Sequence, residues 1–169
     1  DSLFNSAYCI QNNQIIHIYN KQELPNYGVF DEKRYFTPGS ESMVFECQQT
    51  KIGVLICEDQ WVDGPISRLC QSDIDIVISI NASPFQSNKQ QERLDICQQY
   101  AQHFDISFIY VNMVGGQDEV VFDGSSFVVD HNGDVTLQLP EFEELCCIHT
   151  NSIDSNDIIS NEASIYSAL

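Results

Sequence analysis

A thiol, two carboxylates and an indole stand together in Cys57-Glu58-Asp59-Gln60-Trp61, directly after the apolar run Ile52-Gly53-Val54-Leu55-Ile56. An ionised thiol attacks electrophilic carbon, and neighbouring carboxylates can move protons or bind a cation. The β-branched run fits one buried strand, so Cys57 falls at a strand end, a rigid mount at the rim of a sheet. The same thiol also reads as a small core hydrophobe, because free cysteines are among the most buried residue types. Lys21, the first Lys or Arg of the chain, follows the apolar segment 15–19 and by itself reads as a solvated hairpin-end lysine. His17, His103, His131 and His149 are scattered, and none has a motif that supports a Cys–His dyad. Asn81-Ala82-Ser83-Pro84-Phe85 closes another apolar run. Lys21, Cys57 and residues 81–83 thus stand at successive strand ends, which are expected to face one pocket at the sheet's edge.

The elements that must position these groups are legible in outline. Residues 7–10 and 15–19, separated by Asn12-Asn13, predict a β-hairpin whose turn tolerates positive φ. Residues 22–36 hold Pro25, Gly28 and several aromatics without a period, and predict a long irregular loop packed over something. Residues 43–47 and 52–56 predict a second hairpin that delivers Cys57. Asp63-Gly64-Pro65 predicts a helix start, with Asp63 as cap, ending near Ser72. Residues 75–80 and 107–111 predict buried strands. Between them, residues 88–104 predict an amphipathic helix with Leu94, Cys97, Ala101 and Phe104 on its apolar face. Residues 115–119 read as a loop, and 125–130 with 134–139 as a hairpin closed at Asn132-Gly133. The acidic segment 141–169 shows no core pattern and reads as a linker or peripheral piece. Hairpins alternating with strand-helix-strand units give a mixed sheet covered by helices, α/β in class.

Composition narrows the partners. With 169 residues and 43% apolar content the chain can hold one ordinary core. Seven Lys/Arg against 25 Asp/Glu give a formal charge of −18, which repels polyanions and disfavours nucleic acid and anionic membrane as partners. Seven cysteines, an odd number without a C-x-x-C pair, argue for reduced thiols and against a zinc knuckle. With no long apolar run and no signal-like N-terminus, a soluble, cytoplasmic protein is expected.

Four motifs carry a family resemblance. In order they are Lys21-x-x-Leu24-Pro25-Asn26-Tyr27-x-Val29-Phe30-Asp31-Glu32-x-Arg34-Tyr35-Phe36, then Ile52-Gly53-x-x-Ile56-Cys57-Glu58-Asp59-x-Trp61, then Asn81-Ala82-Ser83-Pro84-Phe85, then Gly115-Gly116-Gln117-Asp118-Glu119 with Phe122-Asp123-Gly124-Ser125. This set, covering residues 15 to about 139, resembles the glutaminase domain of glutamine-dependent NAD synthetases, a branch of the nitrilase superfamily. The resemblance implies an α/β fold, a four-layer α-β-β-α sandwich present in part. Residues 1–149 would form a partial glutaminase (carbon-nitrogen hydrolase) domain and 150–169 an acidic linker or peripheral segment.

It also implies a Glu-Lys-Cys triad, with Cys57 as nucleophile, Lys21 as catalytic lysine and Glu32 as the second glutamate beside the triad. An amide carbon is a poor electrophile, so the thiol needs a base, and the oxyanion needs a fixed cation and backbone donors. Lys21 would supply the cation and the N–H after Cys57 a donor. For recognition of L-glutamine, the resemblance points to Tyr27 as an aromatic wall, Glu58 for the ammonium, and Ser83 and Lys89 for the α-carboxylate. The general-base glutamate would lie ahead of Lys21, where this sequence has no Glu, so a fragment that is inactive alone is expected. No cofactor is implied for this domain. ATP and Mg are implied for a synthetase domain of the same polypeptide, and a homo-oligomer is expected. The alternatives are a non-catalytic dimerising module of the same fold and an amidase of another nitrilase branch.

Overall fold

The computed structural model describes residues 2–149, 154–155 and 161–168, which divide into two compact units, Asp1–Ser79 and Ile80–Leu169. In the first, β1 (Ser6–Gln11) and β2 (Gln14–Asn20) pair antiparallel. Asn12 and Asn13 both take positive φ, 51° and 62°, as a two-residue hairpin with right-twisted strands requires. The loop after β2 is irregular as expected, apart from a single 3-10 turn at Glu32–Arg34. Then β3 (Met43–Cys47) and β4 (Thr50–Ile56) form the second hairpin, with Met43 opposite Val54 and Cys47 opposite Thr50.

Behind β4 lies α1 (Asp63–Cys70), which buries Pro65, Ile66 and Leu69. Gly53 makes that packing possible, because a Cβ there would collide with the Leu69 side chain at 2.8 Å. Asp63 is the first residue inside the helix and not its cap; Val62 holds the extended cap position without a side-chain bond. The backbone is extended at Val62, so helical dihedrals begin at Asp63, one residue earlier than the Asp signal suggests, and the carboxylate complements the first-turn dipole. Next in this unit is β5 (Ile76–Asn81), beside β4 and straddling the division. The core here is Tyr19, Met43, Val54 and Ile56, with Ala7, Cys9, Phe45 and Cys57 packed against it.

The second unit is built on α2 (Lys89–Phe104) and β6 (Ser107–Asn112). Leu94, Cys97 and Ala101 are buried as expected while Phe104 is half-buried, and the polar Gln90 and Arg93 are buried with them. Residues 115–119 are a correction: they form no open loop but the turn and one arm of a hairpin, β7 (Val114–Gln117) with β8 (Val120–Asp123). Glycine in both central positions of β7 hid the strand pattern, and Asp118 at φ 53° makes the turn. Next come β9 (Phe127–Val129) and β10 (Val135–Gln138), paired antiparallel, with β9 also beside β6. Tyr110 and Phe127 stack with ring centroids 4.8 Å apart. Within the segment 141–169, β11 (Asp154–Ser155) adds to β10 in parallel and α3 (Asn161–Ala168) follows.

Candidate active site

The end of β2 fixes Lys21 from both sides. Its amide donates to the Asn5 carbonyl at 2.8 Å, and its carbonyl accepts from the Gly39 amide at 2.8 Å. A side chain at position 39 would run into the Asn20 carbonyl, so only glycine lets the two strands of chain come this close. The Lys21 side chain is 2% exposed and its Nζ lies 2.6 Å from Glu32 Oε1. A buried ammonium needs such a partner, since desolvation without one is very costly. Glu32 is itself held in the 3-10 turn: its amide donates to Pro25 O at 3.1 Å, and Asn5 Nδ2 donates to Oε2 at 3.4 Å.

Cys57 closes β4 with φ at +46° and opens a second 3-10 turn, Cys57–Gln60. A non-glycine residue in the left-handed region stores strain of order 1 kcal/mol or more, a feature that gathers at functional sites. Burial pushes the Cys57 thiol up to about 11. The Lys21 ammonium works against that rise, and the carboxylates of Glu58, Glu32 and Asp59 add to it. The thiol therefore sits in the combined field of one buried cation and three acids.

Glu58 accepts hydrogen bonds from Tyr27 Oη at 3.0 and 2.8 Å, one to each carboxylate oxygen. Partial burial, then the Glu58 bond and charge, push the Tyr27 phenol up to about 12. The ring is mostly exposed and meets Phe30 edge-on at 5.9 Å. Lys21, Glu32, Cys57, Glu58 and Tyr27 are thus gathered in the first unit.

Ser83 and Lys89 belong to the second. The Ser83 hydroxyl is buried and accepts from Arg93 Nη2 at 3.1 Å, while its amide donates to Asn112 Oδ1 at 2.9 Å. Lys89, the first residue of α2, pairs with Glu92 at 2.7 Å. Arg93 is 0% exposed. Its Nη1 lies 2.7 Å from Asp123 Oδ2, and Nη2 also donates to the Ser83 and Pro84 carbonyls, each at 3.1 Å. Asn112 Nδ2 ties in Asp123 Oδ1 and the carbonyls of Ser83 and Gly124.

Two groups escaped the sequence reading. Gln90 and Arg93 share the face of Leu94, Cys97 and Ala101, at i, i+3, i+4, i+7 and i+11, and that spacing was the available signal for a buried guanidinium. Asp59, given no role of its own by the sequence, is fully buried and accepts from Tyr19 Oη and the amides of Gln22, Glu23 and Ile56. Its carboxyl is raised above the usual range by burial, which those four bonds counter in part.

Residues 1–160 match the carbon-nitrogen hydrolase family. The chain belongs to that family. Among its carbon-nitrogen hydrolase relatives, the glutamine-dependent NAD(+) synthetase of Acinetobacter baylyi is 43% identical over 141 residues, 83% of this chain and 26% of the relative. The structure of the glutamine-dependent NAD+ synthetase of Acinetobacter baumannii in complex with ADP superposes with a TM-score of 0.92 at 39% identity, over 99% of this chain and 33% of that one. A carbon-nitrogen hydrolase from Helicobacter pylori gives a TM-score of 0.75 at 28% identity, over 83% of this chain and 54% of that one. These neighbours make the fold α/β and nitrilase-like, as expected. The chain spans about a quarter to a third of the length of the NAD synthetases it matches. Among the described residues, no helix is long and apolar enough to cross a membrane.

Proposed function

We propose that the polypeptide carrying this chain hydrolyses the side-chain amide of L-glutamine at Cys57 and passes the ammonia to an ATP-dependent step of NAD synthesis from nicotinic acid adenine dinucleotide. The observation that carries this reading is the buried Lys21–Glu32 pair, 2.6 Å apart, set in the same electrostatic environment as a thiol on a strained strand end. The relatives are glutamine-dependent NAD(+) synthetases, and that supplies the substrate and the coupled synthesis of this reading.

Cys57 Sγ adds to the amide carbon after losing its proton to a base. The amide oxygen becomes an oxyanion, and the Lys21 ammonium and the N–H following Cys57 stabilise it. The C–N bond breaks as the nitrogen takes a proton and leaves as ammonia. Water then cleaves the γ-glutamyl thioester to glutamate and regenerates the thiol. Glu32 keeps Lys21 aimed and charged-paired throughout, and the base is assigned, on the sequence resemblance, to a glutamate ahead of Lys21. Burial holds the resting thiol protonated, so attack is coupled to arrival of that base and of substrate. Glu58, steadied by Tyr27, takes the substrate ammonium. ATP and its metal belong to the synthetase part of the polypeptide and touch no residue assigned here.

The test is Cys57→Ala in the full-length polypeptide. Glutamine-dependent NAD synthesis is expected to vanish while ammonia-dependent synthesis stays within about twofold, because the two half-reactions use separate sites. Glutamine turnover retained in that variant sinks the assignment.

A further inference from the structure

Asp59 takes no part in the chemistry just described, yet it is completely shielded from solvent and is the most heavily bonded carboxylate near Cys57. Its Oδ1 accepts from the amides of Gln22 at 3.0 Å and Glu23 at 2.8 Å. Its Oδ2 accepts from Tyr19 Oη at 2.8 Å and from the Ile56 amide at 3.0 Å. Three of these donors, Tyr19, Gln22 and Glu23, bracket Lys21 in the chain, and the fourth immediately precedes Cys57. Ile56 is the N-cap of the 3-10 turn and Asp59 its third residue, so the bond from the Ile56 amide back to the Asp59 carboxylate fixes the angle at which β4 breaks into Cys57.

The geometry points to Asp59 as the positioning residue that holds Lys21 and Cys57 at their working separation. This rests on the glutaminase reading of those two residues. One carboxylate ties together two chain segments more than thirty residues apart in sequence, and only an ionised acid offers acceptor capacity to four donors at once. An asparagine in its place keeps one oxygen. If that oxygen stays on the Gln22 and Glu23 amides, the new NH₂ group faces the Ile56 N–H and the cap before Cys57 is lost. Turned over, the NH₂ faces two backbone donors beside Lys21. Either way one of the two catalytic segments is released, and displacement of about 1 Å at a reacting group costs on the order of 10²-fold in rate.

In the full-length polypeptide, Asp59→Asn is expected to lower kcat for glutamine by about 10²-fold or more, with KM within about threefold. Ammonia-driven NAD synthesis by the same preparation should be unchanged, as it would not be if the substitution merely unfolded the protein. Tyr19→Phe removes one donor and keeps the three amides, and should lower kcat by about three- to tenfold at constant KM. Wild-type kcat in Asp59→Asn, or a matching rise in KM, overturns the proposal. Where Asp59→Asn fails to fold, an unchanged kcat in Tyr19→Phe overturns it. Failure of the underlying reading looks different: Cys57→Ala would then still turn over glutamine, whatever Asp59 does.

Discussion

Arg93→Met should destabilise the second unit by about 4 kcal/mol, within the roughly 3–5 kcal/mol range for breaking a buried ion pair. The figure follows from what the substitution strands. Asp123, 2% exposed, loses its 2.7 Å partner and keeps the Asn112 amide at 3.3 Å. The Pro84 carbonyl and the Ser83 hydroxyl lose donors at 3.1 Å, each worth about 1–3 kcal/mol when left buried without a partner. Glu141, already raised by burial and by the Asp123 charge, loses the cation that moderates both. Methionine recovers part of this by filling the stem volume, which is why the expected value lies below the sum. Urea denaturation of the chain, followed by tryptophan and tyrosine fluorescence, reads the effect. With a slope of about 2 kcal/mol per molar, the midpoint should fall by about 2 M. Arg93→Met with Asp123→Leu should regain most of the loss, because removing both charges leaves no buried ion unpaired. A midpoint shift under about 0.5 M at constant slope, or a double variant no better than the single one, would refute the reasoning.

The remaining predictions concern the candidate site. Alkylation of Cys57 by iodoacetamide in the absence of substrate should quicken about tenfold per pH unit above neutrality and level off near 11; a midpoint below 9 would contradict the burial assigned to the thiol. The linked stability has a definite sign: the folded-state pKa of Cys57 and of Cys70 is raised, so the native state keeps protons that the unfolded chain gives up. Stability should therefore fall as pH climbs from the ordinary thiol range toward about 11, read as a declining urea midpoint. Lys21→Ala should slow alkylation at fixed pH, since the ammonium favours the thiolate, and should cost roughly 10²–10³-fold in glutamine turnover. Glu58→Gln should raise KM for glutamine about tenfold or more while speeding alkylation of Cys57, because a charge that opposes ionisation is gone. Slower alkylation in that variant would move Glu58 away from the thiol.

Local chemistry wrote much of the chain plainly. Asn12-Asn13 and Asn132-Gly133 specify hairpins because few other residues accept the backbone such turns need, and the β-branched runs at 52–56 and 76–80 specify strands by their own sterics. The motif around Cys57 was equally legible, since a thiol at the end of such a run and a lysine at the end of another are one-dimensional facts. Tertiary structure alone decided what those groups are worth. Lys21 reads as a surface lysine until Glu32, eleven residues on, closes over it at 2.6 Å. Asp59 reads as a spare acid until the amides of Gln22 and Glu23 converge on it from another segment. Arg93 reads as a polar-face residue until Asp123 arrives thirty positions later. In each case the energy of a charge depends on burial and on a partner distant in sequence, and neither is a property of the residue's own neighbours along the chain.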